Sequence, residues 1–163
     1  MRPLRYAEQG GGRVKIVIGS DHAGFEAKEK IKKFLQLLGH EITDFGCYST
    51  ESVDFPDISL LVGEAVKRKE FDKGILLDGF GGGVCLAVNK IRGIRAVCAY
   101  DIISAKFAAA HENCNVICLG GKTHGELTLK EILKVWLETK YEGGRYQKRL
   151  DQITAIENGN LLN

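Results

Sequence analysis

Five short apolar runs that alternate with helical stretches limit what this chain can fold into. They are residues 14–19, 40–45, 74–77, 95–99 and 116–119. Short runs rich in valine, isoleucine and leucine, bounded by glycine or charge, read as buried strands. After the first, residues 26–38 place Ala27, Ile31, Phe34, Leu35 and Leu38 at helical spacing, and Gly39 stops them. Asp57 is the expected cap of a second helix, with Ile58, Leu61, Val62, Ala65 and Val66 on one face. A third helix should run to Lys90, a fourth from Asp101 to near His111, and a fifth over 126–137 with Leu129, Ile132, Leu133 and Trp136 inward. The basic segment 143–156 should add a last helix. Strands alternating with helices imply βαβ units with right-handed crossovers. The expected fold class is α/β: a Rossmann-like three-layer sandwich on a five-stranded parallel sheet, with a helical tail.

The 163 residues suit one domain, expected over 13–163 and preceded by a polar, flexible lead over 1–12 that ends in Gly10-Gly11-Gly12. Lys plus Arg is 23 and Asp plus Glu is 21; a net charge of +2 argues against a nucleic-acid surface. No apolar run approaches the roughly 18 residues of a membrane span, and residues 1–13 lack the apolar core of a signal peptide. Five cysteines, Cys47, Cys85, Cys98, Cys114 and Cys118, are an odd number in a chain able to build its own core. That argues against a disulfide scaffold and for a reducing cytoplasm. His111, Cys114 and Cys118 come nearest to a zinc spacing, but Cys118 falls in a predicted buried strand and no second ligand pair accompanies it. No metal is expected.

Open parallel sheets bind ligands at the carboxyl ends of their strands. Four glycines in five positions, Gly79-Phe80-Gly81-Gly82-Gly83, fall at such an end. Glycines let backbone N–H groups approach an anion closely. The run is a poor dinucleotide fingerprint: Val84 stands where the third glycine belongs, and the run follows the third strand, not the first. Nor is it a GxxxxGK[ST] loop. Asp78, directly before it, is either a helix cap or a general base. Asp21 and His22 follow the first strand at another carboxyl end. His111 closes the fourth helix, where a histidine is commonly a dipole partner. Arg145 and Arg149, four apart, share a helix face, and two forked guanidiniums suit a phosphate. His40 and His124 receive no chemical role.

Taken together, the chain resembles the ribose-5-phosphate isomerase type B family, which also contains the two galactose-6-phosphate isomerase subunits. The resemblance covers about residues 14–156. It rests on Gly19-Ser20-Asp21-His22-Ala23-Gly24-Phe25, Ser52-Val53-Asp54-Phe55-Pro56-Asp57, Asn89-Lys90 with Gly93-Ile94-Arg95-Ala96, His111-x3-Asn115-Val116, and Tyr141-Glu142-Gly143-Gly144-Arg145. It implies a cofactor-free aldose–ketose isomerase acting on a sugar phosphate through a cis-enediolate. A homodimer or homotetramer would share each active site between subunits. On that reading Asp21 and His22 contact the sugar, His111 opens the ring, and Arg145, Arg149 and Lys122 hold the phosphate. Gly79, Gly81, Gly82 and Gly83 stabilise the enediolate.

Four positions depart from the family pattern. Asp78 replaces the usual cysteine base, and Phe80 replaces a threonine or serine. Glu112 replaces an asparagine after the ring-opening histidine, and Tyr146 replaces a histidine after the first tail arginine. Val84 stands where part of the family uses a glutamate. Asp78 is therefore the first candidate base and Cys85 the second. The Asp78-Gly79-Phe80-Gly81 pattern is similar to one galactose-6-phosphate isomerase subunit, whereas the first two motifs look more like the ribose phosphate branch. Ribose 5-phosphate is the expected substrate, with galactose 6-phosphate or another six-carbon sugar phosphate as the alternative. A catalytically weakened sugar-phosphate-binding subunit is the reading from a different class.

Overall fold

A computed structural model of the chain describes residues 12–160, so the expected lead, Gly12 apart, lies outside the described residues. The strands are β1 (Lys15–Ser20), β2 (Glu41–Asp44), β3 (Lys73–Asp78), β4 (Ala96–Cys98) and β5 (Val116–Gly120). The helices are α1 (Phe25–Leu37), α2 (Phe55–Lys67), α3 (Gly82–Val88), α4 (Ile102–Ala110), α5 (Glu126–Glu138) and α6 (Arg145–Glu157). The sheet order is β2-β1-β3-β5-β4, and every pairing is parallel.

Strand alternation divides two cores. Ile16, Ile18, Ile75, Leu77, Ile117 and Leu119 face one side, where Ile31 and Leu35 of α1, Ala105 and Ala108 of α4, and Trp136 of α5 cover them. Val17, Leu76, Val116 and Cys118 face the other, under Val62 and Val66 of α2 and Val84 and Val88 of α3. This confirms the three-layer α/β sandwich.

Two local details differ from the sequence reading. Helix α2 begins at Phe55, with Asp54 as its N-cap and Pro56 in the first turn, so Asp57 lies inside the helix and caps nothing. Proline at the first turn has no N–H to leave unpaired and a φ already set for helix, which moves the start ahead of the acidic residue. At the other end, Gly143 and Gly144 take φ of 65° and 57° and make the turn that launches α6. Asp101 does open α4 as expected, in a reciprocal pair of hydrogen bonds with Ser104.

The order of the strands fixes where a site can form. From β1 the chain moves outward to β2, then crosses back to β3 on the other side. The crevice between the carboxyl ends of β1 and β3 is the switch point of the sheet. Asp21 follows one of these strands and Asp78 ends the other.

Candidate active site

At the switch point Asp21 is buried and its N–H donates to the Leu77 carbonyl at 3.1 Å. Its Oδ1 accepts from the N–H groups of Ala23 and Gly24 at 2.9 and 3.1 Å, which shapes the turn into α1. His22 Nδ1 accepts from the Val53 N–H at 3.3 Å. That bond puts the proton of the neutral ring on Nε2, which is left as a donor. Val53 belongs to the polar loop after β2, so one histidine ties two strand-end loops together.

Asp78 is 4% exposed and is held by its own glycine loop. Oδ1 accepts from the N–H groups of Phe80 (3.2 Å) and Gly81, and Oδ2 accepts from that of Val84 at 3.0 Å. Gly81 makes this possible: its φ is 90°, and a Cβ there would lie 2.6 Å from Cys98 Sγ. Three backbone N–H groups, of Phe80, Gly81 and Val84, thus hold the chain's own carboxylate. Gly82 and Gly83, in the first turn of α3, are not among them. The half-exposed Phe80 ring folds over Gly82. Gly121 donates to the Asp78 carbonyl at 2.8 Å and Lys122 to the Gly79 carbonyl at 2.9 Å, which brings exposed Lys122 beside the loop.

Cys85 sits apart from this cradle. Its Sγ lies 3.6 Å from both the Ala96 carbonyl and Asn89 Nδ2, against edge strand β4. A hydrogen bond from Cys118 lowers its pKa below the usual thiol value, against the opposing effect of burial. Cys114 and Cys118 are fully buried; burial pushes Cys114 up to about 12. Among the described residues no group of three or more His, Cys, Asp or Glu side chains is placed to hold a metal ion. All five cysteines are free, and no described helix is long and apolar enough to cross a membrane.

The remaining candidates lie at the opposite end of the sheet. Helix α4 runs antiparallel to the strands, so His111, its C-cap, sits at their amino ends. The imidazole is sandwiched between Phe107 (ring centroids 4.7 Å apart, 14° between planes) and Tyr146 (4.0 Å, 9°). Its Nε2 is 3.9 Å from Glu142 Oε1. Arg145 donates to the Tyr146 hydroxyl at 2.8 Å, and the guanidiniums of Arg145 and Arg149 lie 4.9 and 5.6 Å from the Tyr146 ring centre. Glu112 is exposed and lines a separate cavity of about 250 Å³ with Asn89, Leu150 and Ile153.

Cys85 and Glu112 apart, the candidates therefore form two groups in one chain. Asp21, His22, Asp78, the glycine loop and Lys122 are at the carboxyl ends, and His111, Arg145 and Arg149 are at the amino ends. A parallel strand rises about 3.3 Å per residue, so six-residue β3, which lies between them, is about 17 Å long. No five-carbon sugar phosphate bridges that distance. The sequence reading noted Tyr146 only as a departure from the family pattern, without a role, and missed Phe107 and the His22–Val53 tie. An aromatic residue at position 146, one after an arginine, was the available signal for a role there.

A parallel α/β sheet with a buried aspartate cradled in a glycine loop at its switch point, and two exposed arginines at its other end, defines an enzyme-like scaffold for a small phosphorylated ligand. The chain belongs to the ribose/galactose isomerase family, whose model matches residues 16–153. It is 42% identical over 143 residues to ribose-5-phosphate isomerase B of Escherichia coli, covering 88% of this chain and 96% of that one. Its fold is similar to that of ribose-5-phosphate isomerase B from Clostridium thermocellum, with TM-score 0.88, 41% identity and coverage of 89% and 98%. The Mycoplasma genitalium ribose-5-phosphate isomerase B, solved with bound ribulose 5-phosphate, matches with TM-score 0.83, 36% identity and coverage of 88% and 95%.

Proposed function

We propose that the protein interconverts ribose 5-phosphate and ribulose 5-phosphate in the cytoplasm, as a homodimer whose active sites each combine the carboxyl-end group of one chain with the amino-end group of another. The separation of the two groups within a chain carries the assembly reading, and five free thiols suit a reducing compartment. Arg145 and Arg149 take the phosphate, with Lys122 adding charge from the other chain. His111 opens the furanose: the C1–O4 bond breaks, C1=O1 forms, and the O1 proton passes to O4. His22 Nε2–H donates to a sugar oxygen, and buried Asp21 keeps its loop in place.

Asp78 is the base. The donors on Oδ1 fix the carboxylate in one orientation, while Oδ2 accepts only one backbone N–H and keeps a lone pair for the C2 proton. That proton moves to C1 and the O2 proton moves to O1, which converts the aldose to the ketose. The N–H groups of Gly82 and Gly83 remain to stabilise the enediolate between the two transfers.

Pure protein incubated with ribose 5-phosphate in deuterated water should form ribulose 5-phosphate carrying deuterium at C1. Absence of both ketose and exchange overturns the proposal. It would favour the reading as a weakened subunit, for which the engagement of the loop donors by Asp78 is the supporting observation. Galactose 6-phosphate, tested alongside, should turn over more slowly; the reverse order would assign the six-carbon branch.

Arg145→Ala with Arg149→Ala should raise KM by about a hundredfold or more, the loss of two charge-assisted contacts at 1.5–3 kcal/mol each. Both side chains are exposed, so the melting temperature should hardly move. An unchanged KM would remove the phosphate assignment.

A further inference from the structure

We infer that Tyr146 is a positioning residue that couples phosphate capture to ring opening; this rests on the isomerase reading above. Three of the proposed functional groups converge on this one side chain. His111 stacks on its ring with centroids 4.0 Å apart and planes 9° from parallel. Arg145 donates to its hydroxyl, and both guanidiniums lie within 5.6 Å of its ring centre.

The surroundings show why His111 depends on it. The backbone N–H of His111 is bonded to the Phe107 carbonyl, but its ring nitrogens make no hydrogen bond among the described residues. The nearest carboxylate, Glu142, is at 3.9 Å. Most histidines used in catalysis are oriented by a hydrogen bond to the second ring nitrogen; here two flat aromatic faces replace it. Rotation of the imidazole about its Cβ–Cγ bond is blocked by the sandwich, while the side chain as a whole stays 23% exposed. Phe107 is on the same helix as His111, so only Tyr146 ties the imidazole to the arginines.

Tyr146 is not simply a core residue. It is buried, yet it belongs to neither hydrophobic core cluster, and its ring stacks on His111. The chain is led to this position deliberately. Glu142 N–H bonds the Ala110 carbonyl at 2.9 Å, next to His111, and the two positive-φ glycines then turn α6 so that its second residue lands on the imidazole. A phosphate drawn by Arg145 and Arg149 is thereby registered against the histidine that must act at C1 and O4 of the same sugar.

The test exploits a difference between the two substrates. Ribose 5-phosphate is a closed furanose and needs ring opening. Ribulose 5-phosphate is open-chain, because its O5 is phosphorylated; exchange of its C1 protons with solvent deuterium needs only the base and the enediolate. The readout is the ratio of ribose 5-phosphate turnover to ribulose 5-phosphate exchange. Tyr146→Leu should lower that ratio at least about tenfold, since small misplacements of a catalytic group are costly. Tyr146→Phe keeps the stack and loses only the bond to Arg145. It should keep the wild-type ratio and raise KM a few-fold for both substrates. Loss of folded enzyme or of phosphate affinity lowers both rates together and cannot change the ratio.

A wild-type ratio in Tyr146→Leu overturns the inference. If wild-type protein exchanges neither substrate, the isomerase reading fails instead. The imidazole proton resonances of His111 then decide the positioning role alone. The wild-type protein should show an upfield ring-current shift that Tyr146→Leu loses and Tyr146→Phe retains; persistence of that shift in Tyr146→Leu overturns the role.

Discussion

Asp78→Asn should lower kcat by at least about a hundredfold, the low end for removing a general base, while Cys85→Ala stays within a few-fold of wild type. The geometry of the loop sets both expectations. Asparagine preserves the shape of the carboxylate but carries an NH2 on one side. Whichever way it turns, that NH2 faces a backbone N–H, of Val84 or of Phe80 and Gly81, that now has an acceptor. The variant should therefore also lose about 1–3 kcal/mol of stability. Kinetics and thermal unfolding must be measured on the same preparation, below the lowered melting temperature. The Cys85 side chain makes its polar contacts with β4, Asn89 and Cys118, not with the Asp78 carboxylate, so its removal leaves the cradle intact. A Cys85 base would also give itself away by pH: kcat would rise with pH through a thiol titration lying below the usual value. A near-normal Asp78→Asn beside an inactive Cys85→Ala would transfer the base to the thiol.

The same loop shows where sequence reasoning reaches its limit. Apolar runs located the five strands and periodicity three of the helices, because burial leaves a direct pattern in the residues; the other three helices were placed from a glycine cluster, the Asp101 cap and the basic tail. Sequence reasoning placed Asp78 before a glycine cluster, and it could not show that the carboxylate occupies the cradle. That fact depends on Gly81 turning to positive φ against Cys98, a residue from another strand. His22 was singled out from its position after β1, but its bond to Val53 spans 31 residues and has no local signature. Lys28, which received no role from the sequence, is fully buried against Asp44 at 2.5 Å. Arg145 and Arg149 were legible as a pair, through the four-residue spacing. Their distance from Asp78 was not, because it follows from the antiparallel run of α4 beside the sheet and from the turn at Gly143 and Gly144. Local pattern thus specified the elements and most of the candidate residues. The division of those residues between two ends of the sheet appeared only with the assembled fold.

That division yields the largest expected effect. Asp78→Asn and the Arg145→Ala, Arg149→Ala double variant should each be almost inactive alone under substrate-limited conditions, and mixing them should restore activity. In a two-fold dimer with isologous contacts, both active sites are equivalent and each draws on both chains. When one chain lacks only the base and the other only the arginines, the mixed dimer contains one site with both defects and one with neither. Random exchange makes half of the dimers mixed, and half of the sites in those are intact. The mixture should therefore reach about a quarter of wild-type activity. The exposed apolar residues of the chain, among them Leu60, Leu61, Leu86, Ile102, Ile103, Phe107, Ile153 and Ile156, supply material for such an interface. Differently tagged parents show by co-purification that exchange has taken place. Mixed dimers without recovered activity would mean that each site is completed within one chain. Because the two groups stand at opposite ends of β3, about 17 Å long, that result would require α6 to leave the position it holds against His111.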